Sequence, residues 1–154
     1  FEKSYPLEVK TITILSVGGT EAGDNATDFI LEAINGTDIR LSSFAGKKAA
    51  IIHFFASLSN ELANLQTVRN FYGDKIEILG VDNNITDARM AAAKLGVNFP
   101  MLLDPASEVK RAYGVSVLPT TYFVDSNGLI AGKKEGQLAE RELNERVKSL
   151  LAAG

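Results

Sequence analysis

The run Ala49-Ala50-Ile51-Ile52-His53-Phe54-Phe55-Ala56 is the most apolar stretch of the chain, and a short polar turn and an amphipathic segment follow it at once. In an extended strand Ile51, His53 and Phe55 face one way and Ile52, Phe54 and Ala56 the other. Both faces are apolar, which requires cover on both sides: a central strand of an α/β sheet with helices on its two faces. The turn Leu58-Ser59-Asn60-Glu61-Leu62 then lies where a buried strand meets a helix N-terminus, a place where α/β folds often put their chemistry. Ser59 reads as the N-cap of that helix. Leu62, Leu65, Val68 and Tyr72 follow at spacings of three and four, one buried stripe, and Gly73-Asp74 ends it.

The rest of the chain arranges itself around this strand. Leu7 to Leu15 alternates and carries β-branched residues, so an edge strand is expected there, or alternatively a small interaction arm; Gly18 to Asp24 is a loop. Asn35-Gly36 between Asp28–Ile34 and Thr37–Leu41 is a hairpin signal, because both central positions need positive φ. Ser42 to Lys48 is a helical turn. Ile76 to Asp82 is a second interior strand. Thr86 is expected to cap an alanine-rich helix that Gly96 stops. Asp104-Pro105 signals a short helix over 106–113, ending at Gly114. Thr120 to Val124 is a strand, Asp125-Ser126-Asn127-Gly128 a hairpin turn returning through 129–132, and about Ala139 to Ala152 a closing helix burying Leu143, Val147, Leu150 and Leu151. The architecture is a hairpin, a β-α-β crossover, a helix, then a hairpin and a closing helix: one α/β domain with parallel and antiparallel strands in one sheet.

Composition narrows the function. With 154 residues, 45% hydrophobic and 23% charged, the chain suits a folded domain with a sizeable core. A net charge of -3 gives no basic footprint for nucleic acid and no polybasic patch for a membrane surface. There is no cysteine, which excludes disulfides, thiolate metal ligands and a cysteine nucleophile. With a single histidine and no suggestive carboxylate cluster, neither a metal nor a cofactor is expected. No apolar stretch reaches the roughly 20 residues that span a bilayer. The chain begins with Phe1, which suggests a processed or trimmed product.

His53 reads as a buried, hydrogen-bonded core histidine in preference to a catalytic base, given its strand setting and no evident partner. Asp125 and Asn127 lack the twelve-residue calcium pattern with its closing glutamate, so turn chemistry accounts for them. Ser59 as a hydrolytic nucleophile needs a base and an orienting third group, and the Gly-x-Ser-x-Gly elbow is absent. An anion at the helix N-terminus would meet Glu61 in the first turn.

From about Ala22 to Leu151 the chain resembles the thioredoxin-like domains of the TlpA type, in the redoxin superfamily that also holds the alkyl hydroperoxide reductase/thiol-specific antioxidant proteins. The resemblance rests on Gly23 to Phe29, Leu41 to Lys47, Phe54-Phe55-Ala56-Ser57-Leu58, Leu102-Leu103-Asp104-Pro105 and Tyr113 to Thr121, with Leu118-Pro119-Thr120-Thr121 before an apolar strand the most specific piece. It implies a thioredoxin-like three-layer sandwich over 22–154, with helices on both faces of a mixed sheet and residues 1–21 as an added N-terminal strand and loop. It also implies that Pro119 is cis and lies against the turn, and that Leu118 offers backbone hydrogen bonds to an extended segment. In that family a Trp-Cys-x-x-Cys motif opens the helix, its first cysteine attacking a disulfide and its second resolving the intermediate. Here Leu58 takes the tryptophan position, Ser59 the first cysteine position and Leu62 the second. Ala56 stands where the peroxidase branch needs a hydroxyl. The scaffold belongs with oxidoreductases, yet no residue is present to carry thiol–disulfide or peroxidase chemistry.

Two functions compete. One is a redox-inactive module, structural or binding an extended protein segment at Leu58, Ser59, Asn60, Glu61, Leu62, Leu118 and Pro119. The other is a redoxin-type oxidoreductase or antioxidant protein whose cysteines have been replaced in this chain. The resemblance favours an extracytoplasmic place in the bacterial cell envelope.

Overall fold

In the computed structural model, residues 12–55 and 60–153 are described, the side chains of Asn60 and Ala153 excepted. One mixed sheet carries strands β1 (Ile14–Ser16), β2 (Asp28–Ala33), β3 (Asp38–Arg40), β4 (Ala49–Phe54), β5 (Ile76–Asp82), β6 (Met101–Leu103), β7 (Thr120–Val124) and β8 (Ile130–Glu135). Their order is β1-β2-β6-β5-β4-β7-β8, with β3 on the other side of β2. The centre is parallel, β4 on β5 and β5 on β6. The flanks are antiparallel, β7 on β4, β8 on β7 and β2 on β6. Every residue of β4 is buried, as two-sided apolar character demands.

Helices α1 (Asn60–Tyr72), α2 (Ile85–Leu95) and α4 (Glu140–Ala153) cover one face. There Leu62, Leu65 and Val68 of α1 and Leu143, Val147 and Leu150 of α4 pack on Ile51, Ile78 and Phe123. Each such side chain, fully removed from water, contributes about 1.5–3 kcal/mol of transfer free energy. The short helix α3 (Glu108–Ala112) lies on the other face with Phe29, Leu31, Ile52, Phe54, Leu79 and Tyr122. The Tyr113 hydroxyl donates to the Thr27 carbonyl and the Tyr122 hydroxyl to the Tyr113 carbonyl, so the end of α3 is tied to both the N-terminal hairpin and β7.

Several expectations change in detail. Asn84, not Thr86, caps α2: its side chain accepts from the backbone N–H groups of Thr86 and Asp87. Thr86 lies inside the first turn, and Gly96 closes the helix in the left-handed conformation (φ 64°) as expected. Helix α3 starts at Glu108, later than the Asp104-Pro105 signal, although the Asp104 carboxylate still accepts from Val109 N–H and Lys110 N–H. Met101–Leu103, for which the sequence pattern predicts no strand, is strand β6, and it joins the N-terminal hairpin to the central sheet. The described part of the expected first strand is an edge strand on β2; its start at Leu7 lies outside the described residues.

The cap assignment is testable by substitution. Asn84→Ala should cost about 1 kcal/mol in urea unfolding, because two N–H groups lose their acceptor, and Thr86→Ala should cost clearly less.

Candidate functional site

The C-terminal end of β4, the first turn of α1 and the loop before β7 converge at one end of the sheet. The turn itself, Ala56 to Ser59, lies outside the described residues, and with it the expected site positions Leu58 and Ser59, the Ser59 cap and the place of Ala56. Asn60 opens α1. The Leu118–Pro119 peptide bond is cis, as the resemblance implies. Leu118 is 38% exposed and the neighbouring Val117 44%, so an apolar surface stands at the loop before β7. Among the described residues, nothing bonds to the backbone N–H or C=O of Leu118; the Pro119 carbonyl is taken by Gly136 N–H.

Glu61 and Leu62 do not belong to that surface. Leu62 is fully buried in the α1–α4 core. Glu61 is 7% exposed and turned inward, because it shares the helix stripe of Leu65, Val68 and Tyr72 at spacings of four, three and four. Its Oε2 accepts from Leu138 N–H, the residue that leads into α4, at 2.5 Å. Among the described residues the apolar rim is therefore carried by Val117 and Leu118.

Between β4 and α1 lies a buried pair. His53 is fully buried, and its Nδ1 is 2.8 Å from the Thr121 hydroxyl, opposite it across the β4–β7 ladder. Its Nε2 faces Glu61 Oε1 at 3.6 Å, too long for a hydrogen bond, and among the described residues neither atom has another partner. His53 thus has the partners that the sequence concealed, Thr121 and Glu61, and the helical spacing of Glu61 is the signal that shows it facing the sheet. The ring is closed off from solvent, which suits a core role and leaves it no access to a substrate. Among the described residues no group of three potential metal ligands forms.

Burial pushes both groups toward their neutral forms. It lowers the histidine from its ordinary 6.5 to about 4. It raises the Glu61 carboxyl, an effect that the Leu138 N–H partly opposes.

Comparison with known proteins gives this geometry its context. The AhpC/TSA family profile matches residues 22–133. The thiol-disulfide oxidoreductase ResA of Bacillus subtilis is 30% identical over 134 residues, covering 80% of this chain and 72% of its own. ResA of Geobacillus thermodenitrificans is 27% identical over 137 residues, covering 83% and 77%. A Chlorobium tepidum structure presented as a DsbE-type thiol:disulfide interchange protein superposes with a TM-score of 0.78 at 23% identity, over 86% of this chain and 99% of that one. The exposed lipoprotein thioredoxin Etrx1 of Streptococcus pneumoniae gives 0.66 at 25% identity, over 80% and 100%. The fold is thioredoxin-like. The chain is a member of the AhpC/TSA redoxin family, homologous to bacterial thiol-disulfide oxidoreductases, and it contains no cysteine.

The buried pair predicts a pH dependence with two limbs. The folded chain binds a proton at His53 less readily than the unfolded one, so stability falls as pH drops from about 6.5 toward 4. His53→Gln should remove up to about 3 kcal/mol of that acid loss, read from urea unfolding across the range. Glu61 has the opposite sign: with its folded pKa raised, stability is lost as pH rises from its ordinary 4.5 through the folded value. Glu61→Gln, which keeps an acceptor for Leu138 N–H, should flatten that limb in the same titration.

Proposed function

We propose that this chain is a redox-inactive member of the redoxin family that binds an extended protein segment across the loop at cis-Pro119. The observation that carries the proposal is the exposed, apolar Val117-Leu118 pair with the Leu118 backbone groups unengaged by any described residue, in a chain without a thiol. An extended segment can add main-chain hydrogen bonds to such a backbone, which gives affinity without dependence on chemistry at the turn. The relatives supply the scaffold and not the activity: thiol–disulfide exchange needs a thiolate to attack and a second thiol to resolve. Ser59 is the only hydroxyl at the expected nucleophile position, and the one histidine of the chain is committed to Thr121 and Glu61 in the core. An envelope location accords with this role, supported by the likeness to an exposed lipoprotein and to a secreted Mycobacterium tuberculosis disulfide oxidoreductase.

The second reading, an oxidoreductase whose cysteines were replaced at Ser59 and Leu62, draws on the identity to ResA. It is settled by the codons of the gene and by insulin reduction. The proposed function predicts no dithiol-dependent turnover, and any such turnover by the protein of the unaltered gene would overturn it. For binding, fluorescence anisotropy with a labelled unfolded peptide is expected to weaken at least tenfold on Leu118→Lys. Unchanged affinity would remove this surface.

A further inference from the structure

At the end of the sheet away from cis-Pro119, where β4 begins and β7 ends, a cavity of about 380 Å3 opens on the face that carries α3. Its floor is apolar: Leu41, Ala50 and Val124 are buried in the core of that face, and the half-buried Phe44 packs against them. Two turns wall it. The chain after β3 folds as a 3-10 turn, Leu41–Phe44, and its continuation is tied to the β7–β8 turn by Gly46 N–H, which donates to the Ser126 carbonyl. Gly128, at φ 86°, lets that second turn come so close that an added Cβ would stand 3.3 Å from Ala45 Cβ. Backbone contacts within the chain therefore set the shape of the cavity. Its polar groups are unevenly used. Asp28, 8% exposed, has both oxygens engaged, Oδ1 by Ser42 N–H and Oδ2 by Arg40 Nε. The second of these bonds orients the Arg40 side chain, which is 55% exposed and whose two terminal nitrogens have no acceptor among the described residues. Lys48 borders the same cavity half-buried, and its ammonium makes no ion pair with a described residue. Asp125 borders it too, its Oδ1 accepting from Asn127 N–H and Leu129 N–H.

We propose that this cavity binds a small amphipathic carboxylate, an aliphatic chain or single ring bearing one acid group, its apolar body on Phe44 and Val124 and its carboxylate held by Arg40 and Lys48. The site stands apart from the loop at Leu118 and does not depend on the function proposed for it. Three observations choose the ligand. The cavity falls within the range of small-molecule sites, about 300–1,000 Å3, and its apolar floor rewards burial of a hydrocarbon body. The hydrogen-bonding capacity left over is mostly that of donors, so a ligand rich in acceptors satisfies it. Arg40 presents a planar fork of N–H groups that matches two carboxylate oxygens, and Lys48 adds a compact second charge. A cationic ligand would find only Asp125 with an oxygen that no described donor takes, against two cations bordering the same space.

The test titrates the isotope-labelled intact chain with octanoate, octanol and octylamine in turn, below the concentration at which octanoate forms micelles, and follows the backbone amides by NMR. Octanoate should give saturable shifts at Ser42, Lys48 and Val124, with the Leu118 amide unmoved. Its affinity should be at least fivefold tighter than that of octanol, with octylamine weaker than both. Lys48→Gln should weaken octanoate at least threefold and leave octanol unchanged, and Arg40→Gln should weaken octanoate further. Equal affinity for octanoate and octanol would overturn the inference, as would octylamine binding more tightly than octanoate. An octanoate preference that survives both substitutions would overturn the roles given to Arg40 and Lys48. Shifts confined to other residues, or none that saturate, would remove the site altogether. The comparison of the three probes needs no variant, so it decides the matter even if Arg40→Gln fails to fold.

Discussion

The inward carboxylate of Glu61 ties together parts of the chain that are far apart in sequence. It sits in the first turn of α1, accepts from Leu138 N–H at the entry to α4, and faces His53 on β4, which in turn meets Thr121 on β7. Two strands and two helices are therefore fixed at one point, at the end of β4 and the start of α1. Polar groups so deeply buried are costly unless partnered, and here, among the described residues, Nε2 and Oε1 have only each other at 3.6 Å. The site end of the sheet is held by a partly satisfied polar cluster, while the rest of the sheet is held by apolar packing on both faces.

That arrangement separates the two roles that a redoxin scaffold ordinarily combines. The chemistry of the family resides in thiols at the turn, and this chain has none. In the proposed function the recognition surface is the loop at cis-Pro119, where Val117 and Leu118 are exposed. Its backbone groups do not depend on which side chain stands at position 59. The proposed binding therefore does not depend on a thiol.

Much of this was legible from residues alone. Strand β4 announced itself through apolar side chains on both faces, and Gly96 and Gly36, both at positive φ, marked a helix stop and a hairpin. Asn35 does not take the positive φ expected at both central positions, and its Oδ1 accepts from Thr37 N–H instead. The cis bond at Pro119 followed from the resemblance, since local sequence carries no signal for it. Strand β6 was hidden because three residues after a proline are too few to show a period. Glu61 stands among the expected segment-binding residues, although its spacing to Leu65 and Val68 places it on the buried stripe. The contact of His53 with Thr121 spans 68 residues and depends on cross-strand register, which local patterns do not encode.

The most direct measurement is a backbone amide NMR titration of the labelled chain with an unfolded, cysteine-free polypeptide. A binding module centred on the cis-proline loop predicts saturable shifts at Val117 and Leu118, with the α4 face undisturbed. Saturable shifts confined to another face, or none at concentrations where the scaffold is fully folded, would contradict it.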